Sequence, residues 1–345
     1  MSISPPILRD RWQRLRPLDA RRGANAMALY RDFYRSRRSR LAVPMRAMPM
    51  SISVEPTTSC NLRCPECPSG LRAFTRPTGM LQPAMLEALL EEIGPWLVYG
   101  NLYFQGEPYL HPQMNDLVRA FRRHGIYTST STNAHYLKPA QAEAIVASGL
   151  NRLIISVDGA TQETYQQYRV GGNLERVIEG TRNILAAARG QRSLHVVWQV
   201  LAVGPNEHEI PELRRLAHAL GVHECVIKTA QLDDPRDGHP LLTQRPELRR
   251  YDRGEDGVWR LRNPLEDHCW RMWQGCVLTW DGRVVPCCFD KDAHHALGTY
   301  APGGRGFREI WHGEAYAAFR AQIFQNRSAI DMCRNCTEGT QVYAD

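Results

Sequence analysis

From Met50 to Lys228 the chain alternates short β-type runs with amphipathic helical runs, and few folds accommodate that pattern. Ile52 and Val54 alternate with polar residues ahead of Pro56. Pro83, Met85, Leu86, Leu89, Leu90 and Ile93 then recur at helical spacing. Further strands are predicted at 96–104, 126–131, 152–157, 194–203 and 225–228. Further helices are predicted at 114–124, 139–148, 173–188 and 208–220, the last closed by Gly221. Strand followed by helix, repeated, implies parallel strands joined by crossover helices. About six units fit an α/β fold built on a partial (β/α)6, TIM-like barrel rather than the full eight.

The flanks differ in texture. Residues 1–50 carry 12 Arg and no Lys against Asp10, Asp19 and Asp32, a net charge of +9, within a chain whose total is +7. The body therefore sums to about −2. Residues 1–49 read as a basic helical arm, broken near Pro17 and Gly23, that packs on the main domain. Contact with an acidic carrier, peptide or nucleic acid is the sharper reading, and an anionic membrane surface is a third. Residues 50–230 form the barrel, 231–268 a linker or substrate-facing loop, and 269–345 a small cysteine-rich domain. No long apolar run predicts a transmembrane helix, and no apolar leader with a cleavage site predicts secretion. A cytoplasmic protein with no membrane partner is expected, and nucleic acid is not the expected partner. Asn101-Leu-Tyr-Phe-Gln-Gly106 looks like a protease tag, yet it continues the strand pattern and reads as native.

Nine of the ten cysteines fall in two groups, with Cys225 alone in a predicted strand and read as core. In an unsecreted chain this argues for metal rather than disulfides. The first group is Cys60-x3-Cys64-x2-Cys67 in a loop after the first strand, with no fourth cysteine nearby. Three thiolates can hold three irons of a cubane and leave the fourth open to an outside ligand. Open coordination marks catalytic sites and closed coordination structural ones. This segment resembles the signature of the radical S-adenosylmethionine superfamily. The resemblance implies a [4Fe-4S] cluster on Cys60, Cys64 and Cys67 that chelates S-adenosyl-L-methionine and cleaves it reductively to a 5′-deoxyadenosyl radical. Glu66 stands where the family usually has an aromatic or bulky apolar residue touching adenine.

Other barrel motifs are similar to the family's. Gly106-Glu107-Pro108 follows the second strand, with Gln105 in place of a first glycine; Glu107 would receive the methionine ammonium as an acceptor-only carboxylate, and Gly106 would let the backbone approach. Thr130-Ser131-Thr132-Asn133 ends the third strand, with Ala134 in place of glycine, and Asn133 is a candidate contact or a turn residue. Ser156-Val157-Asp158-Gly159 ends the fourth; Ser156 would meet the cofactor's polar groups, and Asp158 would meet the cofactor or hold the turn. Arg169 would pair the methionine carboxylate. Asn206 reads as a helix cap.

The second group is Cys269, Cys276, Cys287, Cys288, Cys333 and Cys336, around Trp280-Asp281-Gly282. It resembles the SPASM and twitch extensions that carry auxiliary clusters. Six thiols do not complete two fully cysteine-ligated cubanes, so one auxiliary [4Fe-4S] cluster is expected, on Cys269, Cys287, Cys333 and Cys336. Cys288 is the alternative to Cys287, because adjacent strand residues point opposite ways. Four thiolates also suit structural zinc. His294-His295 reads as a solvated turn. Trp270, Trp273 and Trp280 could shield the cluster.

Together these resemblances imply an oxidoreductase-like radical enzyme that abstracts hydrogen from a peptide or a sugar-like small molecule, for oxidation, dehydrogenation or crosslinking. An external donor such as flavodoxin or ferredoxin would supply electrons. The alternative class is a non-catalytic zinc or iron–sulfur module that meets nucleic acid or a protein partner through the basic arm.

Overall fold

A computed structural model describes residues 4–191, 193–336 and 338. Two helices open the chain, α1 (Pro5–Leu15) and α2 (Ala20–Ser39). The barrel follows as β1 (Ser51–Val54), α3 (Pro68–Leu71), α4 (Pro83–Ile93), β2 (Tyr99–Asn101), α5 (Met114–Arg123), β3 (Tyr127–Thr132), α6 (Pro139–Ala147) and β4 (Arg152–Ser156). It continues as α7 (Gln162–Tyr168), α8 (Leu174–Ala187), β5 (His195–Ala202), α9 (Ile210–Leu220) and β6 (Glu224–Thr229). β1 to β6 pair in chain order, every pair parallel. The predicted partial barrel is therefore present.

Period-2 patterning sets its two faces. Ile52 and Val54 of β1 join the core under the helices, with Leu86, Leu90, Val118 and Phe121. Ser51 and Ser53 point the other way, and with Tyr99 and Asn101 line an interior cavity of about 130 Å3 that also meets Cys287 and Cys288. β2 is shorter than its apolar run suggests, because Gly94–Trp96 turn as a 3-10 helix.

The segment 231–268 is not all loop. It holds an antiparallel hairpin of β7 (Tyr251–Arg253) and β8 (Trp259–Leu261). Then come α10 (Arg271–Gln274), β9 (Gly275–Leu278), β10 (Arg283–Val285), β11 (Gly298–Thr299), α11 (Phe307–Trp311), α12 (Glu314–Asn326) and α13 (Asp331–Arg334). These C-terminal strands do not form a sheet of their own. β9 pairs parallel with β1, in register Ser51↔Gly275 to Val54↔Leu278, and β10 and β11 extend the same sheet antiparallel. One nine-stranded sheet, ordered β11-β10-β9-β1-β2-β3-β4-β5-β6, spans barrel and cysteine-rich segment.

α1 packs by its polar side, and α2 by a mixed polar and apolar one. Asp10 is buried, accepts from the Tyr127 hydroxyl, and lies 2.7 Å from Arg152. Arg22 donates to the carbonyls of Pro17, Gly94 and His124. The break after α1 is at Pro17, as expected, but Gly23 lies inside α2. The Asp19 side chain caps that helix 2.8 Å from Arg22 N, and burial of Leu29 and Phe33 outweighs the glycine's cost of about 1 kcal/mol. No helix among the described residues is long and apolar enough to cross a membrane.

Candidate active site

The Cys60–Cys67 loop leaves the C-terminal end of β1 and is held from several sides. Arg63 N donates to Val170 O at 2.9 Å, beyond α7. Glu107 N donates to Ser59 O at 2.8 Å, and Gly106 N to Ser69 Oγ at 2.8 Å. This contact requires glycine. Gly106 has φ +74°, and a Cβ there would sit 2.3 Å from Thr57 O. The close backbone approach seen at Gly106 is to the cysteine loop itself.

Glu107 is 2% exposed beneath that loop. Its Oε1 accepts from Thr132 Oγ1 at 2.7 Å and Tyr109 N at 3.2 Å, and its Oε2 from Asn133 N at 2.7 Å. A carboxylate accepts about four hydrogen bonds, so one acceptor position remains. Burial pushes the Glu107 carboxyl up, and these three donors oppose it. Asn133 Nδ2 donates to Asn61 Oδ1 at 2.8 Å, which ties the third strand's end to the cysteine loop.

Across the loop, Arg169 Nε lies 2.5 Å from Asp158 Oδ2, and its guanidinium points at Cys64 Sγ at 3.8 Å. Burial disfavours the guanidinium's charge, but Asp158 and Cys64 outweigh it and hold Arg169 protonated. Asp158 also accepts from Leu201 N at 2.6 Å, while the buried Asn206 donates to Asp158 O at 3.1 Å. Asp158 thus serves the turn and orients Arg169, and Asn206 supports it rather than only capping a helix. Ser156 is buried at the end of β4 and makes no side-chain hydrogen bond among the described residues. Burial pushes the Cys60 thiol up to about 11 and raises that of Cys64, where Arg169 opposes it.

Glu66 does not take the place of an aromatic ring. Its carboxylate accepts from Asp233 N at 3.0 Å and meets His239 at 3.1 Å, and its carbonyl accepts from Lys291 Nζ. It fastens the cysteine loop to the 231–268 segment and to the loop after Cys288. Asp292 accepts from Thr75 N at 3.0 Å, and Arg76 Nε donates to Lys291 O, so the two cysteine-bearing loops are tied directly.

The second group gathers around Cys269. The Cys287 thiol is raised by its hydrogen bond to Cys288, by burial and by nearby Cys269, those of Cys333 and Cys336 by burial and by nearby Cys269, and all four are shielded from solvent to some degree. Cys276 faces Tyr316 and Arg320 instead. Cys287 packs against the main core, and Cys288 packs beside Phe104 and Val285. A hydrogen bond from Cys287, with Arg271 at 3.8 Å, favours the Cys288 thiolate. Arg327 was not flagged by any motif, yet its buried guanidinium donates to His268 O, Cys336 O and Glu338 O at 2.9, 3.0 and 3.0 Å. It clamps both ends of the cysteine-rich segment. Trp273 is buried in the core, Trp270 stacks on Tyr30 at 4.2 Å, and Trp280 donates to Pro77 O. His294 and His295 donate their backbone N–H groups to Asp290, as a turn.

Comparison with known proteins matches residues 54–217 to the radical SAM superfamily and residues 269–337 to the SPASM iron–sulfur cluster-binding domain. The chain belongs to the radical SAM superfamily, with a SPASM domain. This radical SAM protein is 26% identical to the PqqA peptide cyclase of Ruegeria pomeroyi over 84% of its own chain and 79% of that protein. It is 25% identical to the mycofactocin maturase MftC of Mycobacterium tuberculosis, over 76% and 70%. Its match to the AdoMet-dependent heme synthase of Methanosarcina barkeri is 30% identical but spans only 40% of each. Among solved structures, Streptococcus suis SuiB bound to S-adenosylmethionine has TM-score 0.61 at 13% identity, covering 84% of this chain and 71% of that one. BtrN in complex with AdoMet and 2-DOIA has TM-score 0.54 at 18% identity, covering 85% and 95%. At these identities the structural likeness establishes the fold.

The radical SAM domain implies a [4Fe-4S] cluster and S-adenosylmethionine, and the SPASM domain implies auxiliary iron–sulfur clusters. The residues fit them. Both thiol sets are soft and all-sulfur, as iron–sulfur ligation requires. An ammonium would find Glu107's remaining acceptor position on one side of the loop, and a carboxylate would find Arg169 on the other.

Proposed function

We propose that this radical SAM enzyme abstracts a hydrogen atom from a peptide substrate and couples that step to oxidation or crosslinking. The observation that carries the reading is the pairing of Glu107 and Arg169 about the Cys60–Cys67 loop. One buried carboxylate and one buried guanidinium complement the two ends of an amino acid, which is the part of S-adenosylmethionine that meets a cluster. Cys60, Cys64 and Cys67 would hold the open cluster. Cys269, Cys287, Cys333 and Cys336 would hold one auxiliary cluster, with Cys288 as the alternative fourth thiol. When bound, cluster and cofactor supply the radical chemistry that removes hydrogen from carbon. The protein's part is orientation and exclusion of water: Asp158 fixes Arg169, Asn133 and Thr132 fix Glu107, and Glu66 closes the loop edge.

Peptide is favoured as the substrate class because the relatives that align over most of this chain are named as a peptide cyclase and a maturase. A sugar-like small molecule is the second reading. Its support is the hydroxyl- and amide-lined interior of Ser51, Ser53, Tyr99 and Asn101. An external flavodoxin- or ferredoxin-type donor in a reducing, cytoplasmic setting would supply electrons to either.

The test is anaerobic reconstitution with iron and sulfide, then dithionite and S-adenosylmethionine, assaying 5′-deoxyadenosine and iron. About eight irons and product in the native chain, against about four irons and no product after Cys60, Cys64 and Cys67→Ala, is the expected result. Stable zinc with no cofactor cleavage would instead favour the non-catalytic binding module.

A further inference from the structure

A helix on a protein surface ordinarily turns its apolar face inward and its polar face to water. α1 does the reverse. Its inner face carries Asp10, ion-paired with Arg152 and Arg14. Its opposite face carries Leu8, Trp12 and Leu15, at i, i+4 and i+7, which are 52%, 64% and 62% exposed. The exposed residues Arg9 and Arg16 border this stripe on one side and Arg11 on the other. α2 shares only the exposed apolar outer side. Leu29 and Phe33 face the protein, while Met27 and Tyr34 point outward at 69% and 58% exposure, beside Arg35 and Arg38. Of the twelve large apolar side chains exposed among the described residues, eight lie between residues 8 and 41. A solvated arm would not concentrate them there.

We propose that the outer face of this arm seats the enzyme on an anionic membrane surface. The stripe runs along the outside of single helices, with Leu8 and Trp12 also at the edge of an open groove, and a lipid interface deforms to fit a surface of either shape. The residue types suit that interface. Leucine and methionine enter the acyl boundary, Trp12 and Tyr34 sit at headgroup level, and arginine stems lie flat while their guanidinium groups reach phosphates. Charge complementarity selects an anionic leaflet, since residues 1–50 carry +9 and the rest of the chain is near neutral. The open groove of about 840 Å3 between α1 and the base of the barrel is lined by Leu8 and Trp12 together with Arg9, Arg16 and Arg122, which sets guanidinium groups beside the apolar stripe. This contact is peripheral and requires no spanning helix.

The experiment is flotation of the full chain with vesicles of phosphatidylglycerol and phosphatidylcholine, and with phosphatidylcholine alone. Flotation with the anionic vesicles at low salt, weakened by high salt, is expected. A Leu8→Ser/Trp12→Ser/Leu15→Ser variant should bind about tenfold more weakly or worse, while circular dichroism and 5′-deoxyadenosine formation stay unchanged. Arg9→Gln/Arg11→Gln/Arg16→Gln should lose the preference for anionic lipid. Failure of the native chain to float at low salt, or equal flotation of native and serine variants, overturns the proposal. So does a native dimer that the serine variant converts to monomer without any lipid binding, which would give the face to a second copy of the chain.

Discussion

Glu107 holds two backbone donors and one hydroxyl with a carboxylate that still has room for an ammonium. Glu107→Gln keeps the size and loses the charge. S-adenosylmethionine should then bind about 10- to 100-fold more weakly, as expected for one charge-assisted hydrogen bond, measured by equilibrium dialysis on the reconstituted protein. At the other end of the barrel, Glu224 bonds His195 at 3.0 Å and Arg152 at 2.9 Å, and its carboxyl is held down at about 2. Its folded value lies below its unfolded one, so its stabilisation is complete above about pH 4.5 and is lost as pH falls toward 2. Glu224→Gln should cost about 3 kcal/mol at pH 7 and flatten the acid limb of denaturant-measured stability between those values. At this scale the sequence was readable where partners are close in the chain. Three cysteines within eight residues state their purpose. Glu66 did not, because its partners Asp233, His239 and Lys291 lie far along the chain and only the fold brings them together. Arg327 was silent for the same reason: its partners are backbone carbonyls, which leave no trace in residue type.

Elements carry the site by their ends. β1 to β4 each deliver a candidate site residue at or beyond the C-terminal tip, and glycine permits the closest contact among them. Gly106→Ala would strain a positive φ and push a methyl into Thr57 O. A loss of at least about 2 kcal/mol and failure to retain the first cluster are expected, read by thermal unfolding and iron content. On the C-terminal side, Arg327→Ala would leave three buried carbonyls without their donor. It should lower iron from about eight to about four per chain, while 5′-deoxyadenosine still forms without substrate turnover. The six barrel strands were legible because alternation and helical spacing are local signals. The β7–β8 hairpin was not, since three residues per strand fall below any periodic pattern, and β2 ran shorter than its apolar run because Gly94-Pro95 turns the chain first.

At the scale of the whole molecule, one nine-stranded sheet runs through both the barrel and the cysteine-rich segment. Sequence texture changes sharply at Cys269, and that change reads as a boundary, yet β9 lies against β1 in the same ladder. Pairing between strands so distant in sequence has no local signature, which is why the continuity was not readable. Ending the chain at residue 268 should therefore not release a folded barrel. It should strip β1 of a partner and uncover the core around Ile52, giving an aggregating product, whereas the full chain should melt in a single transition by calorimetry. β1 also waits for that partner during synthesis. Its neighbour β2 is made almost at once, but β9 is translated more than 200 residues later, and at about 5–20 residues per second this leaves one edge of the first strand open for roughly ten to forty-five seconds. Until β9 is made, the nascent chain thus carries an unpaired strand edge next to the loop that bears Cys60, Cys64 and Cys67.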